Sequence, residues 1–325
     1  MARRPRITIL GSLNMDLVSY VPHHPLPGET LTSNGFSTSP GGKGANQAVA
    51  CAKLSRSQDL SGASADVCMV GAVGQDPYGK VLTDSMASYG VDVEGVRALE
   101  GKQTGLALIV VDEPSGQNRI ILSPEANHTL RPADFASLPS PKPDLLIMQL
   151  EIPLDTVLQA LEAAKAAGVP VLLNPAPAQE LPPAAYQDLA HLVVNETEAA
   201  LLSGLGEQDL ESEQGVREAA RVFIGRGCRV VIVTLGARGV YFATSDGAAG
   251  LLPACETDVV DTTAAGDTFV GSYALAAVRA GSGAGAAAGA FGVEAAVAAA
   301  NRAAAKTVSR KGAQASIPWK DELQQ

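Results

Sequence analysis

Two loops rich in small residues, each placed before a predicted helix, could hold an anion or a small polar ligand. The first is Pro40-Gly41-Gly42-Lys43-Gly44-Ala45-Asn46, followed by a helical pattern over residues 47–54. Paired glycines before a helix let a ligand approach the backbone and leave N–H groups free. The loop is not a Walker A motif, because Ser37 and Gly44 stand where that pattern needs Gly and Ser or Thr. The alternative interpretation is a plain turn at the start of a helix.

The second loop runs from Val260 to Phe269 and precedes a helical pattern over residues 269–280. Its small residues let successive N–H groups converge on an oxyanion, and the helix dipole adds positive charge there. Asp267 of this loop could act as a general base toward a substrate hydroxyl, a role worth about 10²–10⁴ in rate. It could equally be an N-terminal cap worth about 1 kcal/mol, and the motif alone does not decide between the two.

Short apolar runs, many of them β-branched, recur between longer helical patterns and predict buried parallel strands. They cover residues 7–10, 67–70, 145–150, 169–173, 192–194 and 230–235. The helical segment 153–167 has Pro in its first turn and ends at Gly168, as helix ends often do. This alternation predicts an α/β fold with a doubly wound, mainly parallel central sheet flanked by helices on both faces.

Polar residues and a glycine follow several of these predicted strands. They are Asn14, Asp16, Glu151, Asn174, Asn195, Glu198 and Gly236. Each could be a turn former or a helix cap. Because parallel sheets of this kind bind ligands beyond the carboxyl ends of their strands, several such residues at one edge predict a ligand site there.

One region breaks the alternation and predicts a small antiparallel sheet that forms a lid. Residues 104–111 and 118–122 are strand-like and are joined by a turn-rich hairpin connection. Residues 18–21 and 30–36 have weaker strand character and could complete the lid. We therefore expect a single domain over residues 1–325, with lid segments at about 16–40 and 104–124 inserted in it. The polar stretch 55–66 is expected to be a surface insertion between a helix and a strand.

The composition bounds the partners and the compartment. The chain of 325 residues has 24 Lys and Arg against 34 Asp and Glu, a formal net charge of -10. This charge disfavours nucleic acid and anionic membranes, so a small-molecule ligand is expected. The four cysteines form no CxxC pair, and no secretion signal or membrane span is indicated. Cytoplasmic residence is expected, and a nuclear pool is compatible with the same observations.

An ordered series of motifs carries a resemblance that extends over nearly the whole chain. The motifs are Gly11-Ser12-Leu13-Asn14-Met15-Asp16, the Gly41 to Asn46 loop continuing through Gln47-Ala48-Val49-Ala50, Gln149-Leu150-Glu151, Asn174-Pro175-Ala176-Pro177-Ala178, Asn195-Glu196-Thr197-Glu198, Thr234-Leu235-Gly236-Ala237-Arg238-Gly239, the Asp261 to Asp267 loop, and Arg310-Lys311-Gly312-Ala313-Gln314-Ala315-Ser316. In these motifs the chain resembles the ribokinase/carbohydrate kinase family.

The resemblance implies a Rossmann-like ribokinase fold with a β lid and ATP-dependent phosphorylation of D-ribose at its 5-hydroxyl. It makes Asp267 the catalytic base, and it assigns the stabilisation of the transferred phosphoryl group to the N–H groups of Ala264, Ala265 and Gly266. Many family members have Gly where this chain has Ala264. The residues implied to hold the sugar, together with Asp267, are Asn14, Met15, Asp16, Gly42, Lys43, Gly44, Ala45, Asn46 and Glu151.

The resemblance also implies three cofactors or co-substrates: ATP, Mg²⁺ and K⁺. The residues implied to face the nucleotide and its magnesium are Asn195, Glu198, Thr234, Leu235, Gly236, Ala237, Arg238, Gly239, Gly266, Asp267 and Asn301. The positions that match the family's potassium site are Asp261, Thr263, Thr307, Arg310, Gly312 and Ser316, several of them through carbonyl oxygens. The lid is expected to pair with that of a second subunit in a homodimer.

Two alternatives to ribose phosphorylation remain open from the sequence. The first is a kinase for a related sugar, 2-deoxyribose or fructose, and the residues that discriminate are Asn14 and Asp16. A carboxylate there suits a vicinal diol, and a missing substrate hydroxyl would leave it unpaired. The second is a catalytically silent sugar-binding protein on the same fold. Such a protein could dispense with Asp267, the anion-binding loop or the Asn195 and Glu198 pair, and all three are present.

Overall fold

The computed structural model describes residues 3–281 and 292–323. Its thirteen strands are β1 (Arg6–Leu10), β2 (Asn14–Val21), β3 (Gly35–Gly41), β4 (Asp66–Gly74), β5 (Asp92–Leu99), β6 (Gly105–Asp112), β7 (Asn118–Ser123), β8 (Leu145–Met148), β9 (Val171–Leu173), β10 (His191–Asn195), β11 (Val230–Thr234), β12 (Val240–Thr244) and β13 (Ala249–Leu252). The seven α-helices are α1 (Lys43–Ser55), α2 (Pro77–Ser88), α3 (Leu154–Ala166), α4 (Glu196–Ser203), α5 (Glu213–Gly225), α6 (Ala265–Gly281) and α7 (Val293–Val308).

Nine of these strands form one large sheet in the order β13-β12-β11-β10-β9-β8-β1-β4-β5. The strands from β11 to β5 in that order run parallel to their neighbours, and β12 and β13 are added antiparallel at one edge. The predicted mainly parallel sheet is therefore confirmed, and the central part of each predicted strand lies in it. The strands read as nearly continuous apolar runs because both faces of the sheet are covered.

Helices cover both faces of the large sheet, as predicted. Helices α1, α2, α6 and α7 pack on one face, and α3, α4 and α5 pack on the other. Side chains of strand β11 point alternately to the two faces. Ile232 packs in the core beneath α1, α2, α6 and α7, whereas Val231 and Val233 pack in the core beneath α3, α4 and α5. Within the described ranges, no helix is long and apolar enough to cross a membrane.

Two helices begin earlier than the sequence pattern predicted. The helix expected from residue 47 begins at Lys43, and the one expected from residue 269 begins at Ala265. Glycine is a weak helix former, and Gly44 and Gly266 lie in these first turns, so the pattern placed both starts after them. Packing decides the first case: the N–H of Ala45 donates to the carbonyl of Ser12 at 2.9 Å, which holds the first turn of α1 against the strand end. Part of each loop thus lies inside a first helical turn.

The remaining four strands form a smaller sheet in the order β3-β2-β6-β7. Its two outer pairings are antiparallel, including the β6–β7 hairpin, whereas β2 and β6 run parallel. The strand predicted over residues 30–36 is largely wrong, because β3 covers Gly35–Gly41 and pairs Gly41 with Asn14 of β2. Pro40 is compatible with this strand because β3 is an edge strand. Asn14 and Asp16 therefore lie within the smaller sheet, not directly at the end of a central strand.

Candidate active site

A cleft of about 240 Å³ opens where the parallel strands of the large sheet end. It is bounded by the first turns of α1, α4 and α6, and its polar lining includes Lys43, Asn174, Asn195, Glu198, Gly266 and Asp267. The N-terminus of a helix carries partial positive charge, so a cleft between three helix N-termini favours an anionic ligand. The structure thus brings residues from both predicted small-residue loops to one cavity.

Asp267 lies in the first turn of α6 and is only 8% exposed. Its Oδ2 accepts a hydrogen bond from Asn46 Nδ2 at 3.1 Å, and its Oδ1 accepts one from Gln47 Nε2 at 3.0 Å. These amides come from α1, so the carboxylate connects two helix N-termini. Its oxygens are engaged by side-chain amides across the cleft, which is a different arrangement from the local cap considered above.

A buried amide chain behind Asp267 escaped the sequence reasoning. Gln47 Nε2 also donates to Asn174 Oδ1 at 3.0 Å, and Gln47 Oε1 accepts from Gln149 Nε2 at 2.6 Å. Because the Asp267 carboxylate accepts this hydrogen bond, Gln47 must present its NH₂ group to it, and the Gln149 amide is oriented in turn. A sequence signal was available: Gln47 is four residues after Lys43 and so shares a face of α1 with it.

Glu151 accepts hydrogen bonds from three donors near the start of α1. Its Oε2 accepts from the Ser12 hydroxyl, from the backbone N–H of Lys43 at 3.0 Å and from Asn14 Nδ2 at 3.4 Å. Asn127, also missed from the sequence, orients Asn14 by donating from Nδ2 to Asn14 Oδ1 at 2.8 Å. Asn127 further exchanges hydrogen bonds with the backbone N–H and carbonyl of Leu13. The result is a wall of fixed amide and carboxylate groups.

Asp16 is a buried carboxylate whose pKa lies well above its ordinary value. Burial, with the charges of Glu151 and Asp267, raises the pKa of Asp16 to about 7. A Cβ placed on Gly41 would lie 2.2 Å from Asp16 Oδ2, so only glycine fits beside this carboxylate. The opposite charge is nearby: although burial opposes it, the carboxylates of Asp267, Glu151 and Glu198 raise the pKa of Lys43.

Asn195 and Glu198 cap α4 reciprocally. The Asn195 side chain accepts from the N–H of Glu198 at 2.8 Å, and Glu198 Oε2 accepts from the N–H of Asn195 at 2.9 Å. This is the capping box that stabilises a helix start. Burial raises the pKa of Glu198, although the Asn195 N–H and Lys43 oppose the shift. Both residues also line the cleft, so the pair that caps α4 is placed to contact a ligand as well.

The loop before α6 has the shape of an anion-binding turn. Ala264 adopts a positive φ of 60°, a conformation that costs an L-residue about 1–2 kcal/mol. At Gly266 a Cβ would have open space around it, so the backbone there is accessible to a ligand. Ala264, Ala265 and Gly266 all line the cleft. The structure therefore brings these three residues to one volume, and the N–H of Ala265 donates to the carbonyl of Thr262 at 3.2 Å.

The positions expected to face adenine are only partly brought to the cleft. Thr234 lines it, whereas Leu235 is buried in the core. The Arg238 guanidinium donates to the carbonyls of Leu210 and Glu211, each at 2.7 Å, and pairs with Glu196. Asn301 Nδ2 donates to the carbonyl of Pro253 at 2.7 Å. Arg238 and Asn301 thus hold loops together in the structure.

The positions expected to bind potassium meet beside this loop. Asp261 Oδ1 accepts from the N–H of Thr263 at 2.9 Å, and Asp261 Oδ2 accepts from the N–H of Gly312 at 2.9 Å. Burial opposes ionisation, but the hydrogen bonds from Thr263 and Gly312 outweigh it and lower the pKa of Asp261. The site therefore holds an ionised carboxylate, a ligand type suited to a hard cation, beside the loop that leads to Ala264.

Three other members of that set are already hydrogen-bonded through their side chains. The Thr307 hydroxyl donates to the Thr268 hydroxyl at 2.9 Å, and the Ser316 hydroxyl donates to the carbonyl of Ala313 at 2.8 Å. Arg310 pairs with Glu322 at 2.6 Å. These contacts leave the backbone carbonyls as the groups that these residues could offer to a cation.

The cleft and the sheet define a class of α/β proteins that bind a small polar ligand where parallel strands end. Within that class, the chain belongs to the pfkB family of carbohydrate kinases, whose family model matches residues 4–320. This match confirms the family that the sequence motifs indicated.

The relatives and the solved structures cover nearly the whole chain. A ribokinase of Schizosaccharomyces pombe is 40% identical over 316 residues, or 96% of this chain and 94% of the relative. A deoxyribokinase of Salmonella typhi is 36% identical over 315 residues, or 96% of this chain and 95% of the relative. The structure of an Arabidopsis thaliana ribokinase complexed with ribose and ATP is similar with a TM-score of 0.84 and 28% identity, over 99% of this chain and 98% of that one.

Proposed function

We propose that the protein transfers the γ-phosphoryl group of ATP to the 5-hydroxyl of D-ribose, giving D-ribose 5-phosphate and ADP. The observation that carries the proposal is the position of Asp267, in the first turn of α6 and hydrogen-bonded to Asn46 and Gln47 of α1. A base at this position lies between an anion-binding turn and a wall of sugar-binding groups. Membership of the pfkB family and the similarity to ribokinases support the same reaction.

In the proposed reaction Asp267 accepts the proton of the 5-hydroxyl while that oxygen forms a bond to the γ-phosphorus. The bond between the γ-phosphorus and its bridging oxygen breaks, and ADP leaves with the electron pair. The N–H groups of Ala264, Ala265 and Gly266 stabilise the charge on the transferred group, commonly the largest contribution to catalysis. Lys43, whose pKa is raised by the surrounding carboxylates despite its burial, adds a positive charge to the cleft.

Sugar binding is assigned to the wall formed by Asn14, Asp16 and Glu151 with Lys43 and Asn46. A sugar offers hydroxyl groups that both donate and accept, and amides and carboxylates complement them. Fixed orientation of these groups favours binding because little side-chain freedom is lost when the sugar arrives. Backbone contacts from Met15, Gly42, Gly44 and Ala45 complete the proposed sugar site.

Mg²⁺ and K⁺ are the proposed cofactors. Asn195 and Glu198 offer an amide and a carboxylate oxygen at the cleft, a donor set that suits Mg²⁺, which usually keeps several waters. Bound Mg²⁺ would neutralise charge on the nucleotide phosphates. Asp261 with the carbonyls of Thr263, Thr307, Arg310, Gly312 and Ser316 would hold K⁺. Since Asp261 accepts from Thr263 and Gly312, K⁺ would act by ordering the loop that leads to Ala264.

The test is ATP turnover by the wild-type protein with D-ribose, 2-deoxyribose or fructose as acceptor, with Mg²⁺ and with or without K⁺. Asp267→Asn is measured beside it, and Asp258→Asn, at an exposed position of the preceding loop, is the matched control. We expect ribose-dependent turnover that rises with K⁺ and falls at least about 10²-fold in Asp267→Asn. Asp258→Asn is expected to leave turnover unchanged.

Other outcomes identify the alternatives. Faster turnover with 2-deoxyribose than with ribose would make 2-deoxyribose the substrate. This acceptor is tested because a 36% identical relative is a deoxyribokinase. Ribose binding measured by calorimetry without turnover of any acceptor would reject the kinase in favour of a silent binding protein. Turnover that Asp267→Asn retains would leave the kinase but remove Asp267 as its base.

The smaller sheet is proposed to be a lid that pairs with the lid of a second copy. Its edge strand β7 exposes apolar side chains on both faces, with Ile120 54% and Ile121 62% exposed, and Phe36 of β3 is also exposed. An uncovered edge strand of this kind favours association. That the chain forms a single domain with this lid inserted stays a prediction from the sequence. So does residence in the cytoplasm, with or without a nuclear pool.

A further inference from the structure

Lys53, in the last turn of α1, is a buried charge outside the proposed catalytic and ligand-binding groups. Its side chain is 3% exposed, and its Nζ lies 5.1 Å from the ring centre of Tyr89 and 5.3 Å from that of Trp319. Burial lowers the pKa of Lys53 to about 8, although Glu322 opposes the shift. Burying an ammonium group is costly unless partners compensate, and the two aromatic faces supply part of that compensation.

The hydrogen-bond partner of Lys53 leads toward the active site. Lys53 Nζ donates to the backbone carbonyl of Gln314 at 3.2 Å. The side chain of Gln314 donates from Nε2 to Asn46 Oδ1 at 3.3 Å, and its Oε1 accepts from the Ser85 hydroxyl at 3.4 Å. Gln314 is thus held on three sides, and it presents a donor to Asn46.

Asn46 transmits this contact to the proposed base. An amide that accepts at Oδ1 must present its NH₂ group on the opposite side, and Asn46 Nδ2 donates to Asp267 Oδ2 at 3.1 Å. If Gln314 moved away, the amide of Asn46 would lose one of the two partners that select this orientation, and Asp267 alone would hold it. Lys53 is therefore connected to Asp267 through Gln314 and Asn46.

The same segment carries part of the proposed cation site. Gly312, two residues before Gln314, donates its N–H to Asp261 at 2.9 Å. On its other side the segment is closed by the Arg310–Glu322 ion pair and by Trp319, which packs edge-on against Tyr89. The side chain of Lys53 extends from helix α1 to this segment, residues 309–319.

We propose that Lys53 is a positioning residue that clamps residues 309–319 onto helix α1 and, through Gln314, holds the Asn46 amide in the orientation that binds Asp267. The proposal rests on the proposed function for the catalytic role of Asp267. Lys53 does not touch the reacting groups, so its effect on turnover passes through Gln314.

The kinetic test is a double-mutant cycle on kcat per folded molecule, with Lys53→Met, Gln314→Leu and the double variant. Gln314→Leu keeps the backbone carbonyl that Lys53 contacts and removes the side-chain hydrogen bonds to Asn46 and Ser85. We expect Lys53→Met and Gln314→Leu each to lower kcat about tenfold, and the double variant to be no slower than the slower single variant. Lys53→Arg, which keeps the charge over both rings, is expected to retain most of the activity.

Lys80→Met is the matched control, because Lys80 is exposed on α2 and forms an ion pair with the nearby Asp84. It should leave kcat unchanged. Lower stability of Lys53→Met with an unchanged kcat per folded molecule would overturn the proposal, since Lys53 would then be structural only. Additive losses in the double variant would also overturn it, because they would show that Lys53 does not act through Gln314.

A second readout does not depend on activity. The side-chain amide resonances of Asn46 in ¹H–¹⁵N spectra report its hydrogen bonds in the protein without substrates. We expect Lys53→Met and Gln314→Leu to shift these resonances in the same direction, and Lys80→Met to leave them in place. Unchanged Asn46 resonances in Lys53→Met would reject the clamp even if the wild-type protein proved to have no kinase activity. Absent wild-type turnover would reject only the proposed function.

Discussion

Gln47 Nε2 lies 3.0 Å from Asp267 Oδ1, although the two residues are 220 positions apart in the chain. Gln47 is held in turn by Gln149, whose Nε2 donates to Gln47 Oε1 at 2.6 Å. The carboxylate of Asp267 is therefore oriented by a buried chain of amides that starts at Gln149, the residue after strand β8. Since a base must be within hydrogen-bond reach of the proton that it accepts, its orientation matters for turnover.

Replacing Gln47 with Leu should lower kcat by about 10- to 100-fold, because one of the two amides that orient Asp267 is removed. The KM for ATP should stay within about twofold, since Gln47 is not among the residues proposed to bind the nucleotide. Steady-state kinetics check this, with Gln75→Leu at an exposed position as the control. An unchanged kcat would show that Asn46 alone orients the base.

Replacing Ala264 with Gly should stabilise the protein. Ala264 has a φ of 60°, and glycine adopts this conformation without the steric cost borne by alanine. After the entropy cost of glycine, we expect the free energy of unfolding to rise by up to about 1 kcal/mol in urea titrations. Ala265→Gly, one residue further on at the start of α6, should instead lower it by up to about 1 kcal/mol. Equal effects of the two changes would contradict the argument.

Asp16→Asn should change the pH dependence of stability. The pKa of Asp16 is raised from 3.8 to about 7, so the stability that its protonated form contributes is complete below about pH 4 and is lost as the pH rises through about 7. The asparagine side chain of the variant does not ionise in this pH range. Relative to the wild type, its free energy of unfolding should therefore increase between pH 4 and 8, by on the order of 4 kcal/mol at about 1.4 kcal/mol per pKa unit.

Denaturant titrations at several pH values check this prediction, with Asp258→Asn as the control at an exposed position. A difference between Asp16→Asn and wild type that does not vary with pH would show that Asp16 is not the group responsible. The same variant should bind ribose more weakly above about pH 7, where an amide replaces an ionised carboxylate at the proposed sugar site.

Asn127→Asp should weaken sugar binding. Asn127 Nδ2 donates to Asn14 Oδ1 at 2.8 Å, and the substitution places an acceptor there instead while it keeps the acceptor for the N–H of Leu13. The amide of Asn14 then turns over, and its NH₂ group no longer faces Glu151. We expect the KM for ribose to rise at least about tenfold and the KM for ATP to stay constant. Parallel increases in both constants would indicate a general loss of structure.

Ile121→Lys should prevent association of the protein through the lid. Ile121 is 62% exposed on the edge strand β7, where a charged side chain disfavours pairing with another sheet edge. We expect a dimer of the wild type and a monomer of the variant in sedimentation equilibrium. Leu201→Lys, at an exposed position of α4, is the control and should remain dimeric. A wild type that is monomeric at all concentrations would refute the lid-mediated dimer.

Local patterns sufficed for much of the fold. The apolar runs identified six strands of the large sheet, because a strand buried on both faces needs a continuous apolar segment. They did not identify β5, whose residues are mostly exposed, or place β3, whose polar residues are aligned only by pairing with β2. The smaller sheet was predicted from its hairpin, but the parallel pairing of β2 with β6 joins segments about 90 residues apart and has no local signal.

The sequence by itself determined the alternating α/β architecture, the two loops of small residues and the acidic residue in one of them, because backbone preferences and hydrophobic periodicity act over neighbouring residues. Only the tertiary structure decided which groups meet. It placed Asn127 against Asn14, 113 positions away, and raised the pKa of Asp16 by burial beside Glu151 and Asp267. Hydrogen bonds and charge interactions depend on distances in space, and these distances are set only when the sheet and its helices have packed.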